Sequence, residues 1–193
     1  MAQKFPDITS KLFCDKEKLH LTILMLPLPD EETQNLAKKA FESCKDKIYT
    51  ILSSKPLKVS LKNLSCISIK DNVETTRVLY IKIDDGNGLE TLIDISNILI
   101  SSMLSNGVIK EKQLSHINVK DGKYHPNKFH ITILNSTFSR KERSWTFNAK
   151  PILEKFEKTN LGECIVEDIH ISTRFHFDDK GFYKPLITLP LPT

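Results

Sequence analysis

Lys18-Leu19-His20-Leu21-Thr22-Ile23-Leu24 returns 110 residues later as Lys128-Phe129-His130-Ile131-Thr132-Ile133-Leu134, changed only where Leu19 and Leu21 become Phe129 and Ile131. Aliphatic, β-branched heptads with polarity alternating every second residue predict strands, in which residues i and i+2 share a face. His20 and Thr22 then project from one side of the first strand, and His130 and Thr132 from one side of the second. Leu19, Leu21 and Ile23 turn the other way into a core, as do Phe129, Ile131 and Ile133. Two such strands form a duplicated architecture, each half offering an imidazole and a hydroxyl. That pairing suits a phosphate.

Opening a phosphodiester or a cyclic phosphate takes a base to activate the nucleophile and an acid to protonate the leaving oxygen. An imidazole, with an ordinary pKa of about 6.5, serves in either role. Two of them divide the work without a metal, each worth roughly 10²–10⁴-fold in rate. Hydroxyls at Thr22 and Thr132 add hydrogen bonds to non-bridging oxygens as charge builds there. One H-x-T triplet carries little information. Two inside matching heptads carry much more.

Composition bounds the rest. A chain of 193 residues, 39% hydrophobic and 27% charged, has the make-up of a globular domain with room for a substantial core, in one or two lobes. Net charge of +4 is a mild bias towards an anionic partner, well short of a histone-like tail. Cys14, Cys44, Cys66 and Cys164 are scattered without a C-x-x-C pair, which fits a reducing compartment and signals neither a zinc knuckle nor a disulfide framework. Apolar runs are too short for a membrane span, and no signal peptide is evident. Cytosol or nucleus follows.

Outward from the heptads, the pattern predicts a short helix within residues 1–17, capped near Asp7 or Thr9. The first motif strand runs from about Leu19 to Leu26 and stops at Pro27 and Pro29. Asp30 caps a helix over 30–52, with Glu31 and Glu32 in its first turn and Leu36, Ala40, Phe41, Cys44, Ile48, Ile51 and Leu52 inward. Alternation at Leu57–Lys62 and again at Cys66–Ile69 gives two strands, followed by a turn at Asp71-Asn72 and a neighbouring strand over Arg77–Ile83. Asp84 to Gly88 is a loop, then a helix covers about 89–105 with Gly107 past its end. Residues 110–127 read as a polar, basic connection, and 135–143 as a loop. A short helix opens at Pro151, and two last strands, 163–173 and 182–189, flank a turn at 178–181. Strands and helices mixed with hairpins favour an α+β fold with antiparallel sheets over a doubly wound parallel one.

Lys18, Lys128 and Arg140, with Lys141 and Arg143 beside the last, are candidate contacts for a phosphate backbone, and Tyr80 for substrate; a solvated basic face accounts for the lysines and arginines as well. His170-Ile171-Ser172 repeats the triplet without its frame and reads as structural. His116, His125 and His176 stand in polar, loop-like settings. Neither H-x-x-x-H nor H-E-x-x-H occurs, so no metal site is expected.

Paired H-φ-T motifs one lobe apart resemble the 2H phosphoesterases, the LigT-like family. Within it, the likeness is greatest to the branch formed by the phosphoesterase domain of activating signal cointegrator 1 complex subunit 1 and the nucleotide-binding domain of the long A-kinase anchor proteins. Besides the heptads it rests on Val78-Leu79-Tyr80-Ile81-Lys82, on Asn135 after the second motif, and on Ile169-His170-Ile171-Ser172 through Gly181-Phe182-Tyr183. It runs from about Phe5 to Leu191. The resemblance implies a bilobal α+β fold, two antiparallel sheets flanking a groove with helices outside. It also implies catalytic His20, Thr22, His130 and Thr132, RNA or nucleotide phosphodiester substrates, and no cofactor. For the cointegrator branch it implies a nuclear role in transcription and alkylation-damage repair beside a helicase.

Two departures from the family pattern bear on residues 1–193 read as a single domain. There is no room for the KH module of the cointegrator subunit. Only 19 residues precede His20, where relatives carry a further strand and helix. Either the form is shortened or the first lobe lacks an edge strand, which leaves an open sheet edge and favours weak self-association. A non-catalytic nucleotide- or RNA-binding adaptor therefore stands beside the phosphodiesterase as an alternative.

Overall fold

The computed structural model describes residues 8–84, 86–126, 128–138 and 146–193. Arg140, Lys141 and Arg143 lie outside them. The chain divides into two compact units: Met1–Leu21, Leu61–Asp84 and His130–Gly162 form the first; Thr22–Ser60, Asp85–Phe129 and Glu163–Thr193 form the second. Both are α+β with antiparallel pairing.

The first unit holds most of a sheet in the order β5-β2-β1-β6, where β1 is Leu57–Ile69, β2 Asn72–Ile83, β5 His130–Asn135 and β6 Asn160–Val166; residues 57–60 and 163–166 are counted with the second unit. β1 is one strand where the sequence suggested two. Asn63 interrupts its alternation: it adopts φ 64°, shifts the register between Lys62 and Leu64, and gives its N–H to Thr159 O at 2.8 Å. An inserted bulge residue of this kind bends a strand without ending it. The β1–β2 turn is at Lys70-Asp71, both left-handed at φ 51° and 58°, which matches the twist of a tight hairpin.

Ile8, Leu12, Leu64, Leu79, Leu134, Phe147, Ala149 and Ile152 make the core behind this sheet. Leu12 reaches it from a single 3₁₀ turn, Ser10–Leu12, the short helix expected after Thr9. Helix α4, Lys150–Phe156, carries Pro151 in its first turn and adds Ile152.

The open edge expected of this sheet is filled at β5. Phe13 bridges Leu134, Cys14 N–H donates to Ile133 O at 2.9 Å, and Leu21 bridges Ile131. Residues 13–21 thus lie along the β5 edge that was expected to be open. The first heptad is correspondingly not a strand. It is an extended segment with one bridge, preceded by a 3₁₀ turn at Lys16–Lys18. Beyond it Pro27 and Pro29 lack the N–H groups that a longer ladder would use. Leu19, expected inward, is 40% exposed.

In the second unit Asp30 caps α1, Glu31–Glu42, accepting from Thr33 N–H at 2.8 Å while the Thr33 hydroxyl faces back. The expected single helix is two: Ser43 and Cys44 separate α1 from α2, Lys45–Leu52. Ala37, Ala40, Phe41, Cys44, Ile48 and Leu52 are buried, whereas Leu36 and Ile51 are about two-fifths exposed, because the break rotates the inward stripe. α3, Asn87–Ser105, buries Leu92, Ile95, Leu99, Ile100 and Met103. It ends with Gly107 at φ 73° and Val108 N–H on Met103 O, the hydrogen bond of a left-handed helix stop. Gly88 in its first turn has no room for a side chain: a Cβ would lie 2.0 Å from Lys58 O.

The connection read as irregular holds a hairpin, β3 Ile117–Lys120 and β4 Lys123–Pro126, turning at Asp121-Gly122. Lys123 pairs with Asp94 at 2.6 Å, and Tyr124 N–H donates to Asn97 Oδ1 at 3.0 Å, docking the hairpin on α3. The strand expected over 163–173 breaks at Glu167, where β6 ends and β7, Asp168–Phe177, begins; β7 pairs with β8, Tyr183–Pro190. His125 and His176 accordingly sit on strands rather than in loops, and His116 in the turn before β3. No helix among the described residues is long and apolar enough to cross a membrane.

Candidate active site

The two heptads meet through their central residues. Leu21 and Ile131 face each other in an antiparallel bridge. Extending the antiparallel register of that bridge by one residue, i−1 against j+1, sets His20 against Thr132, on the face away from Leu21 and Ile131. β2 flanks the other edge of β5 with Tyr80 opposite Thr132 and Lys82 opposite His130. Directly opposed residues share a face. One face of the first unit therefore carries His20, Thr132, His130, Tyr80 and Lys82 in adjacent positions.

His20 is exposed, and its Nδ1 lies 2.7 Å from Lys18 O. A carbonyl only accepts, so Nδ1 carries the hydrogen of that bond. His130 is half-buried. Its ring meets the edge of Tyr80, centroids 5.1 Å apart and planes at 62°. Tyr80 is 3% exposed, held in the sheet's packing rather than open to solvent. Its recorded contact with the candidate residues is the edge of the His130 ring.

The remaining candidates are placed as follows. Thr22 is half-buried and opens the second unit. Lys18 pairs with Asp15 at 2.6 Å, and Lys128 is exposed in the second unit. Asn135 turns inward along the chain, its Oδ1 accepting from Thr137 N–H and hydroxyl at 2.9 and 2.8 Å, which starts the 3₁₀ turn Ser136–Phe138. His170 belongs to the second unit, between Asp168 Oδ1 at 2.8 Å from Nε2 and Thr188 Oγ1 at 3.1 Å from Nδ1. Among the described residues no group of three or more His, Cys, Asp or Glu side chains gathers as a metal-ligand set.

Lys82 is the residue that sequence reading passed over. Its signal was present: in Tyr80-Ile81-Lys82 a period of two puts a cation on the face of Tyr80. Lys62, opposite Lys82 across β1, is already tied to Asp84.

Known proteins resemble the chain at the level of family and fold. The family described as "AKAP7 2'5' RNA ligase-like domain" matches residues 1–191. The mouse (Mus musculus) protein activating signal cointegrator 1 complex subunit 1 is 28% identical over 185 residues, covering 91% of this chain and 51% of the mouse protein. The chain thus spans about half the length of that curated relative. The crystal structure of TT0787 of Thermus thermophilus superposes with a TM-score of 0.54 at 19% identity, over 94% of this chain and 82% of that one. That likeness is one of fold.

Proposed function

Since the chain belongs to the 2H phosphoesterase family, by way of its AKAP7 2'5' RNA ligase-like domain, we propose that it cleaves RNA or cyclic-nucleotide phosphodiesters without a metal. The observation that carries the reading is the antiparallel Leu21–Ile131 bridge, which joins the middle residues of the two H-x-T triplets. In hydrolysis of a 2′,3′-cyclic phosphate one imidazole takes a proton from the attacking water as the new P–O bond forms. The other gives its proton to the ribose oxygen as the old P–O bond breaks. His20 and His130 fill these two roles. Thr132, opposite His20, and Thr22, two residues along from it, hold the non-bridging oxygens. Lys18, Lys128, Lys82 and Arg140 supply positive charge to the substrate, and Tyr80 fixes the His130 ring.

The family match runs across both units, which supports reading residues 1–193 as one domain of this family. The name of the mouse relative supports a second layer, work as a subunit of a cointegrator complex; a nuclear setting in transcription and alkylation-damage repair is the further proposal that the family resemblance makes. In such a complex an adaptor that binds a nucleotide or RNA through the same residues is the competing role.

Turnover separates the two. The full chain is incubated with 2′,3′-cyclic nucleotides and short RNAs, with and without a chelator. The enzyme reading expects product in both conditions. Binding without turnover on any substrate replaces it with the adaptor, and activity lost to chelator and restored by a divalent ion replaces the metal-free scheme.

A further inference from the structure

The β7–β8 hairpin of the second unit presents an aromatic surface that the catalytic scheme does not use. Opposed pairs stand at Ser172–Pro185 and at Phe177–Tyr183. Between them β7 places four residues, Thr173 to His176, where β8 places only Lys184. Pro185 has no N–H to give to a regular ladder, and β7 bulges there. The bulge is held at its base: the Thr173 hydroxyl donates to Lys184 O at 2.9 Å, and His176 Nδ1 donates to Arg174 O at 3.3 Å.

At its crest Phe175 adopts φ 71° and is 73% exposed. Left-handed backbone is strained for a bulky aromatic residue, and here burial offsets none of the strain. The Arg174 guanidinium lies 4.9 Å from the ring centroid, over one face of it. Next along the strand, Phe177 is 48% exposed and stacks at a tilt on Tyr183, centroids 5.5 Å apart, with Phe182 5.7 Å beyond Tyr183. Arg174, His176 and Lys184 are all exposed around these rings. Of the two carboxylates at the hairpin tip, Asp178 is engaged by the N–H groups of Lys180 and Phe182, each at 2.9 Å, and Asp179 is exposed.

We propose that this bulge is a base-stacking site for single-stranded RNA, with Phe175 as its platform. Successive exposed aromatic rings take bases of any identity, while interleaved cations follow the phosphates. A guanidinium already seated on one face of Phe175 continues the stack from the protein side. The inference rests on the phosphodiester reading for the class of ligand, and narrows it: the substrate is an oligonucleotide long enough to lay a base on the hairpin, rather than a lone cyclic nucleotide.

The test is fluorescence anisotropy of the full chain with a fluorescein-labelled 2′-O-methyl oligouridylate of about ten nucleotides, a length in the range of such sites. An abasic oligomer with the same phosphates is the control. Phe175→Ala is expected to weaken the uridylate roughly 5- to 150-fold, the loss of one stacked base, and to leave the abasic oligomer unchanged. Phe175→Trp restores binding. Phe175→Gly weakens it while raising Tm, because glycine relieves the strained backbone, a split that a merely structural phenylalanine would not give. Phe175→Ala binding uridylate as tightly as the parent overturns the proposal and assigns the surface to a protein partner instead. Turnover of 2′,3′-cyclic uridine monophosphate keeps the two readings apart. Phe175→Ala leaves it unchanged if both hold. A parent that binds through Phe175 but turns over nothing defeats the enzyme and leaves the stacking site standing.

Discussion

Leu21 and Ile131 face each other across a single antiparallel bridge, and each is the middle residue of a His-x-Thr triplet. Their contact turns a sequence repeat into a place. It puts His20 and Thr132 opposite one another, and it uses the edge of β5 that β2 leaves open.

Tyr80 is expected to act through the ring it supports. Tyr80→Phe keeps the edge that meets His130 and should retain most of kcat. Tyr80→Ala removes a buried ring, at a cost of about 3–5 kcal/mol, and frees His130 to rotate. Tyr80→Leu fills more of the space without an aromatic edge and should stay folded with a reduced kcat and little change in KM. A folded Tyr80→Leu with the parent's kcat would show that the ring contact is incidental.

Lys82, opposite His130, should contribute to substrate binding rather than to proton transfer. Lys82→Gln is predicted to raise KM for RNA several-fold with kcat largely kept. The slope of log affinity against log salt should become shallower by about one phosphate contact, roughly 0.7 for a single strand. An unchanged slope would mean that Lys82 is merely solvated.

Legibility in the sequence followed how local each signal was. The second heptad read correctly as a strand because β5 is paired on both sides. The first did not, because whether an extended segment becomes a ladder depends on a neighbour far along the chain. The Asp30 cap, Pro151 at the start of α4 and Gly107 after α3 were plain, each being settled within one turn of helix. Asp121-Gly122 carried an equally local hairpin signal that the surrounding polar residues obscured. The split of 30–52 at Ser43 had no comparable marker. That Tyr80 and Lys82 share a face was legible from their spacing, but that this face meets Thr132 and His130 depended on the β2–β5 register, since a shift of one residue would have turned both away.

The cap of α1 gives a prediction in pH. The Thr33 backbone N–H, and then its hydroxyl, hold the Asp30 carboxyl below the usual carboxylate range. A carboxylate whose pKa is lowered by folding adds stability above its unfolded pKa and loses it as pH falls through the folded value. The parent should therefore lose Tm on acidification below about pH 4, the ordinary range for an aspartate. Asp30→Asn, which caps without titrating, should lose less over the same window. Identical acid limbs in thermal melts of the two proteins would remove Asp30 from the account.

The most direct measurement is a double-mutant cycle on turnover of a 2′,3′-cyclic nucleotide, with His20→Ala, His130→Ala and the pair, each verified as folded. Two groups that act as one acid–base unit give strongly non-additive losses. Each single replacement is predicted to cost about 10²–10⁴-fold in kcat. The double should cost little more than the worse single, and the bell-shaped pH profile of the parent should flatten in all three. A folded double mutant that turns over as fast as the parent would contradict the assignment of chemistry to these two histidines.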